Sequence, residues 1–140
     1  MVALTLSPLD PRGIEAAVAW TGAGAVLTFI GVTRDNFEGR AVIGLEYEAF
    51  REMAIAELER IEAELLDRWP GARLAMVHRL GPVGLGEASV VISVATPHRV
   101  ACYEASRYAI EALKARVPVW KREIYKDGTA WKANLPPESA

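Results

Sequence analysis

The sequence predicts an α+β domain in which two main helices pack on a mostly antiparallel sheet. Three observations predict it. Two segments, 51–69 and 98–116, repeat apolar residues at helical spacing. Several short aliphatic runs, one of them strictly alternating, have strand character. The connections are short, so the chain reads as a single domain over 1–135 with a loose tail at 136–140, where two prolines meet small polar residues.

Taken in order, Leu4 and Leu6 suggest a short first strand. Asp10 followed by Pro11 is a helix start, an N-cap acceptor and then a proline at the first helical position. The helix is expected to run to Trp20 and to be closed by Gly22 and Gly24. Ala25 to Thr33 reads as a buried strand, followed by a polar loop from Arg34 to Arg40. From Val42 to Phe50, Leu45, Tyr47 and Ala49 share one face while Glu46 and Glu48 share the other, the period of a half-exposed strand.

The stripe Ala54, Leu58, Ile61 and Leu65 marks the clearest helix, which Pro70 and Gly71 end. Leu74 to Leu80 and Ala88 to Ala95 are two more strands, joined by a turn rich in glycine and proline. Thr96 and Pro97 read as a cap and first-turn proline for a helix from about His98 to Arg116. Its stripe is Cys102, Ala105, Ala109 and Leu113, and Pro118 stops it. Asp127-Gly128 inside 120–131 signals a hairpin turn.

Composition narrows the function. The 140 residues are 51% hydrophobic and 24% charged, a balance suited to a globular fold. No apolar run reaches the roughly 20 residues of a membrane span. The opening residues lack the basic start and apolar block of a signal peptide, so the cytoplasm is the expected compartment. One cysteine, Cys102, allows no intrachain disulfide. A net charge of −2 argues against general nucleic-acid binding. Any anion site must therefore be a local cluster. No phosphate loop, dinucleotide fingerprint, nucleophile elbow or zinc spacing occurs, and no metal or cofactor is expected.

Cations gather in three places. Arg34 follows the buried strand directly, and Arg40 closes the same loop; a solvated arginine is the alternative reading. His98 and Arg99 fall in a helix first turn, where the dipole disfavours cations unless an anion is bound. The third place is 113–123. Lys114 sits near a helix C-terminus and serves the dipole there if nothing else. Lys121 and Arg122 follow Trp120 in a strand and so point to opposite faces, one of them free to face a pocket. Cys102 on an apolar stripe reads as inert packing, and His78, alternating with Leu74, Met76 and Leu80, as a hydrogen-bonded core residue.

The ordered segments GAVLTFIGVTRDNFEGR, LEYEAF, RWPGARLAMVHRLGPVGLGE, VATPHRVACYEA and LKARVPVWKRE, spanning Gly24 to Trp131, resemble the molybdopterin synthase large-subunit family. Val32 and Thr33 stand in swapped places relative to the family's Gly-x-Val-Arg pattern, and Asp35-Asn36-Phe37 also departs from it, but the arginine register is kept. The resemblance implies an α/β-hammerhead fold and a sulfurtransferase. It implies a ubiquitin-like small subunit ending in Gly-Gly, whose C-terminal thiocarboxylate passes sulfur twice to cyclic pyranopterin monophosphate. It also implies a homodimer of large subunits within a heterotetramer, with the His98–Arg99 pair reaching the neighbouring protomer's site. By motif position, Lys121 and Lys114 become the catalytic residues. Arg34, His98 and Arg99 join them in binding substrate, and Glu123 and Arg122 stand behind them as orienting residues.

Two other functions compete. One is a non-catalytic module that docks a ubiquitin-like partner or a phosphorylated metabolite. The other is RNA binding through the basic, aromatic segment around Trp120, which the sequence pI of about 5.7 disfavours.

Overall fold

The computed structural model describes residues 1–126 and 128–133, the last five by backbone alone. The chain runs β1 (Val2–Thr5), α1 (Pro11–Ala16), β2 (Ala25–Val32), β3 (Asn36–Phe37), β4 (Arg40–Ala49) and α2 (Arg51–Arg68). It continues with β5 (Arg73–Arg79), β6 (Gly81–Val83), β7 (Ala88–Thr96), α3 (Arg99–Arg116), β8 (Val119–Tyr125) and β9 (Gly128–Ala133). Asp127, half of the expected turn pair, and the tail at 136–140 lie outside the described residues.

The strands divide into two sheets. One has the order β1-β5-β7-β2; the other runs β3-β4-β8-β9, with β6 added beside β4. All pairings are antiparallel except β1 with β5. Strand periodicity decides what each face of the first sheet meets. Leu74 and Met76 of β5 and Val90, Ile92 and Val94 of β7 join one core with the stripes of α2 and α3. Ala75 and Ala95 point the other way, onto Val18 and the chain following α1. Both predicted stripes are buried, from Ala54 to Leu65 on α2 and from Cys102 to Leu113 on α3. Cys102 is packed as expected, its thiol 3.3 Å from the Val94 carbonyl.

Five local expectations are corrected. The strand expected to be buried, β2, is an edge of its sheet, with Val26, Ile30 and Val32 exposed on its outer face. Leu6 lies past the end of β1 and is exposed. Helix α1 stops at Ala16, because the next N–H groups bond three residues back (Ala17 to Ile14, Val18 to Glu15) and tighten the chain into turns. Trp20 instead packs beside Val18 and under the Arg73 guanidinium. Thr96 is the last residue of β7, and the N-cap of α3 is His98. The Thr96 hydroxyl donates to the His98 carbonyl at 2.6 Å rather than to the helix. Finally, the turn expected between β5 and β7 contains β6. Gly81, at φ +82°, redirects the chain, and Val83 pairs with Leu45. That short strand carries the chain from the first sheet to the second.

In the second sheet, Tyr47 of β4 lies opposite Lys121 of β8 and Leu45 opposite Glu123. These side chains share the inward face with Val119 and Tyr125, which are buried. Glu46 and Arg122 are also paired, but on the outward face, in a 2.6 Å salt bridge. The opposite orientation expected of Lys121 and Arg122 is therefore what the strand delivers.

Candidate active site

Three elements converge where the two sheets meet. β2 ends in a register shift between Gly31 and Val32. Gly31 allows the close approach there, since a Cβ on it would stand 2.7 Å from Val90 Cγ1. Just beyond, the Thr33 N–H donates to the Glu87 carbonyl (3.2 Å) and the Thr33 carbonyl accepts from Gly86 N–H (3.0 Å). These bonds clamp the backbone from which Arg34 departs. Lys114 comes from the last turn of α3, and Lys121 and Glu123 come from the inward face of β8.

Arg34, Lys114, Lys121 and Glu123 line one cavity of about 270 Å³. Its walls include Tyr47, Ser89, Phe37 and Val90. Three cations against one carboxylate give it a positive balance inside a chain of net charge −2. Glu123 is only 2% exposed, and its Oε1 lies 3.7 Å from Lys121 Nζ. Its Oε2 accepts the Tyr125 hydroxyl. Lys121 Nζ also stands 5.9 Å from the centre of the Phe37 ring.

The neutral groups around these charges are held neutral. Burial raises the Tyr47 hydroxyl pKa above the usual phenol value; the Ser89 hydrogen bond opposes this and the negative charge of Glu123 adds to it. Burial first, and then the bond to Glu123, push Tyr125 up to about 12. His78 packs edge-on to Tyr47, with ring centres 4.9 Å apart. Its Nδ1–H donates to the Arg79 carbonyl at 2.8 Å, the hydrogen-bonded core role expected of it. Burial pulls its pKa down to about 4; the Arg79 bond opposes, and the charge of Lys114 pulls further. The cavity thus sets two ammonium groups and a guanidinium beside the neutral hydroxyls of Tyr47 and Ser89, a setting for binding an anion.

Not every residue expected at the site is there. His98 and Arg99 are exposed at the opposite end of α3. Arg99 and Lys114 are fifteen residues apart, about 22 Å along a helix, so within one chain this pair does not reach the cavity. No acidic residue occupies the first turn of α3 and no side chain caps it, so the conflict with the helix dipole stands. Arg122 faces away, onto Glu46. Conversely, Tyr47, Ser89 and Phe37 were not singled out in the sequence. Ser89, a hydroxyl at the edge of an aliphatic run, was the one available signal. Among the described residues, no three His, Cys, Asp or Glu side chains gather to hold a metal ion. A larger cavity of about 400 Å³, on the outward side of β4, is walled by Glu46, Glu48 and Arg51, a poor match for an anion.

Fold and cavity together define a class: an α+β domain built around a cationic pocket sized for a small molecule. The family described as MoaE protein matches residues 4–116. The molybdopterin synthase catalytic subunit of Bacillus subtilis is 46% identical over 128 residues, covering 91% of this chain and 82% of that protein. The human protein of the same name is 50% identical over 134 residues, covering 96% of this chain and 71% of its own length. The crystal structure of molybdopterin synthase from Staphylococcus aureus superposes with a TM-score of 0.88 at 37% identity, covering 92% of this chain and 94% of that one. The chain belongs to the MoaE protein family, the catalytic subunits of the sulfurtransferase molybdopterin synthase.

Proposed function

We propose that this cavity is where sulfur passes from the C-terminal thiocarboxylate of a ubiquitin-like small subunit, ending in Gly-Gly, to cyclic pyranopterin monophosphate. One observation carries the reading. Arg34, Lys114 and Lys121, distant in sequence, line a single cavity with the buried carboxylate of Glu123. In this reading Arg34 holds the phosphate through charge-assisted hydrogen bonds. Lys121, supported by Lys114, donates and accepts protons as each thiocarboxylate sulfur bonds to a pterin side-chain carbon. One transfer displaces the phosphate ester oxygen and the other a hydroxyl, lost as water. Water then hydrolyses the acyl–sulfur bond, again with proton transfer by Lys121, to leave a carboxylate on the partner. Glu123 keeps the Lys121 ammonium at its post. The transferred sulfur arrives on the partner, so the buried Cys102 has no part in it.

A complex of subunits 1 and 2 is known for the molybdopterin-converting factor of Helicobacter pylori, whose fold this chain shares at a TM-score of 0.75 and 22% identity. We infer the same kind of partner here, in a heterotetramer built on a dimer of the present chain. Such a dimer gives His98 and Arg99 a role, contributing cations to the neighbouring protomer's cavity. The cytoplasm is the proposed compartment. Among the described residues no helix is long and apolar enough to cross a membrane.

The test is reconstitution of the chain with a thiocarboxylated Gly-Gly partner and the cyclic pterin phosphate. Lys121→Ala is expected to cut product formation by about 10²- to 10⁴-fold, the usual range for a general acid–base group, while partner binding persists. A Lys121→Ala variant that forms product at the normal rate would remove Lys121 from the chemistry, and an unaltered chain that binds the partner without forming product would favour a docking module.

A further inference from the structure

We propose that Tyr125 is a positioning residue for the Lys121 ammonium, acting through Glu123. The inference rests on the catalytic reading of Lys121 above and adds a residue to it. Strand β8 places 121, 123 and 125 on one face, so the three side chains form a row along the strand, the first two lining the cavity. Tyr125 is 4% exposed, and its hydroxyl donates to Oε2 of Glu123. The other oxygen, Oε1, is the one 3.7 Å from Lys121 Nζ.

The physical need is specific. The terminal torsion of a glutamate is broad, so an unanchored carboxylate swings its oxygens through a wide arc. A lysine on a flexible stem beside a swinging carboxylate samples many positions. Fixing one oxygen fixes the plane and so aims the other. The Tyr125 ring is itself held by the Arg40 guanidinium, whose carbon lies 3.6 Å from the ring centre. A ring needed only for packing would not require its hydroxyl.

Tyr125→Phe removes that hydroxyl and keeps the ring. Assayed in the reconstituted complex beside Lys121→Ala and Glu123→Gln, it is expected to lower kcat about tenfold while KM for the cyclic pterin phosphate stays within about twofold. The double variant Tyr125→Phe with Glu123→Gln is expected to be no slower than Glu123→Gln alone, because both act through one carboxylate. Multiplying losses in the double variant, or an unchanged kcat with only a lower thermal midpoint, would overturn the proposal. Lys121→Ala separates the two readings. If it stays active, the catalytic reading fails and takes this one with it. If it is inactive while Tyr125→Phe is normal, only the role of Tyr125 fails. Should the phenylalanine variant not fold, 4-fluorophenylalanine at 125 fills the space of the hydroxyl while removing the donor. An unchanged kcat there also counts against the proposal.

Discussion

His78 shows how much a single buried side chain constrains this protein. It is 5% exposed, and its imidazole is held neutral with a pKa of about 4 against the ordinary imidazole value of 6.5. Between those values the unfolded chain binds the proton and the folded chain does not. Stability from this residue is therefore complete above pH 6.5 and is lost as pH falls toward 4. At about 1.4 kcal/mol per pKa unit, the loss across the window is on the order of 3 kcal/mol. Urea unfolding at intervals from pH 7 to 4.5 measures it, and His78→Gln is expected to flatten that slope. An equal slope in the variant would place the effect elsewhere. Because His78 packs on Tyr47 and feels Lys114, the same titration reaches the back of the cavity.

At the scale of elements, the end of α3 that carries Lys114 is moored to α2 by ion pairs. Arg116 Nε reaches Glu57 at 2.7 Å, and its two terminal nitrogens reach Glu64 at 2.6 and 3.0 Å. Tyr108 adds its hydroxyl to Glu64 at 2.5 Å. The hydrogen bond from Arg116 and then that from Tyr108 hold Glu64 down at about 2, so this mooring persists until strongly acidic pH. Because the pairs are largely open to solvent, their contribution is salt-dependent. Arg116→Ala is expected to lower the thermal midpoint by a few degrees at low salt, with the deficit shrinking near about 1 M salt as screening removes the wild-type advantage. A salt-independent deficit would mean lost packing instead. Such a variant also loosens the turn that presents Lys114, so a rise in KM for the pterin is expected with it.

At the scale of the whole molecule, the separation of the cavity from His98 and Arg99 makes the proposed dimer testable. Lys121→Ala and Arg99→Ala chains are each expected to be nearly inactive alone. Mixed and allowed to exchange, they form hybrid dimers in which one cavity has both its own lysine and its partner's arginine. With equal amounts and random pairing, activity is expected to recover to about one quarter of wild type, the share of intact sites in a two-fold assembly. No recovery, despite demonstrated exchange, would confine His98 and Arg99 to some role within their own chain.

Much of this could be read directly from the residues. Helix stripes such as Ala54, Leu58, Ile61 and Leu65 were legible because helical period and burial are local properties of a sequence. The alternation in 42–50 was legible for the same reason, and it placed Tyr47 on the right face without saying what that face would meet. Charge balance and the resemblance marked Arg34, Lys114 and Lys121, and strand period alone separated Lys121 from Arg122. Strand β6, the early end of α1 and the membership of Tyr47, Ser89 and Tyr125 in one network were not legible, because each depends on a partner far away along the chain. Local pattern was enough for the two long helices and their buried stripes, for most of the long strands, and for the identity of the charged groups. Only the tertiary structure decided which of those groups share a cavity and which oxygen of Glu123 faces Lys121, since such distances arise from pairings between remote segments that no local pattern encodes.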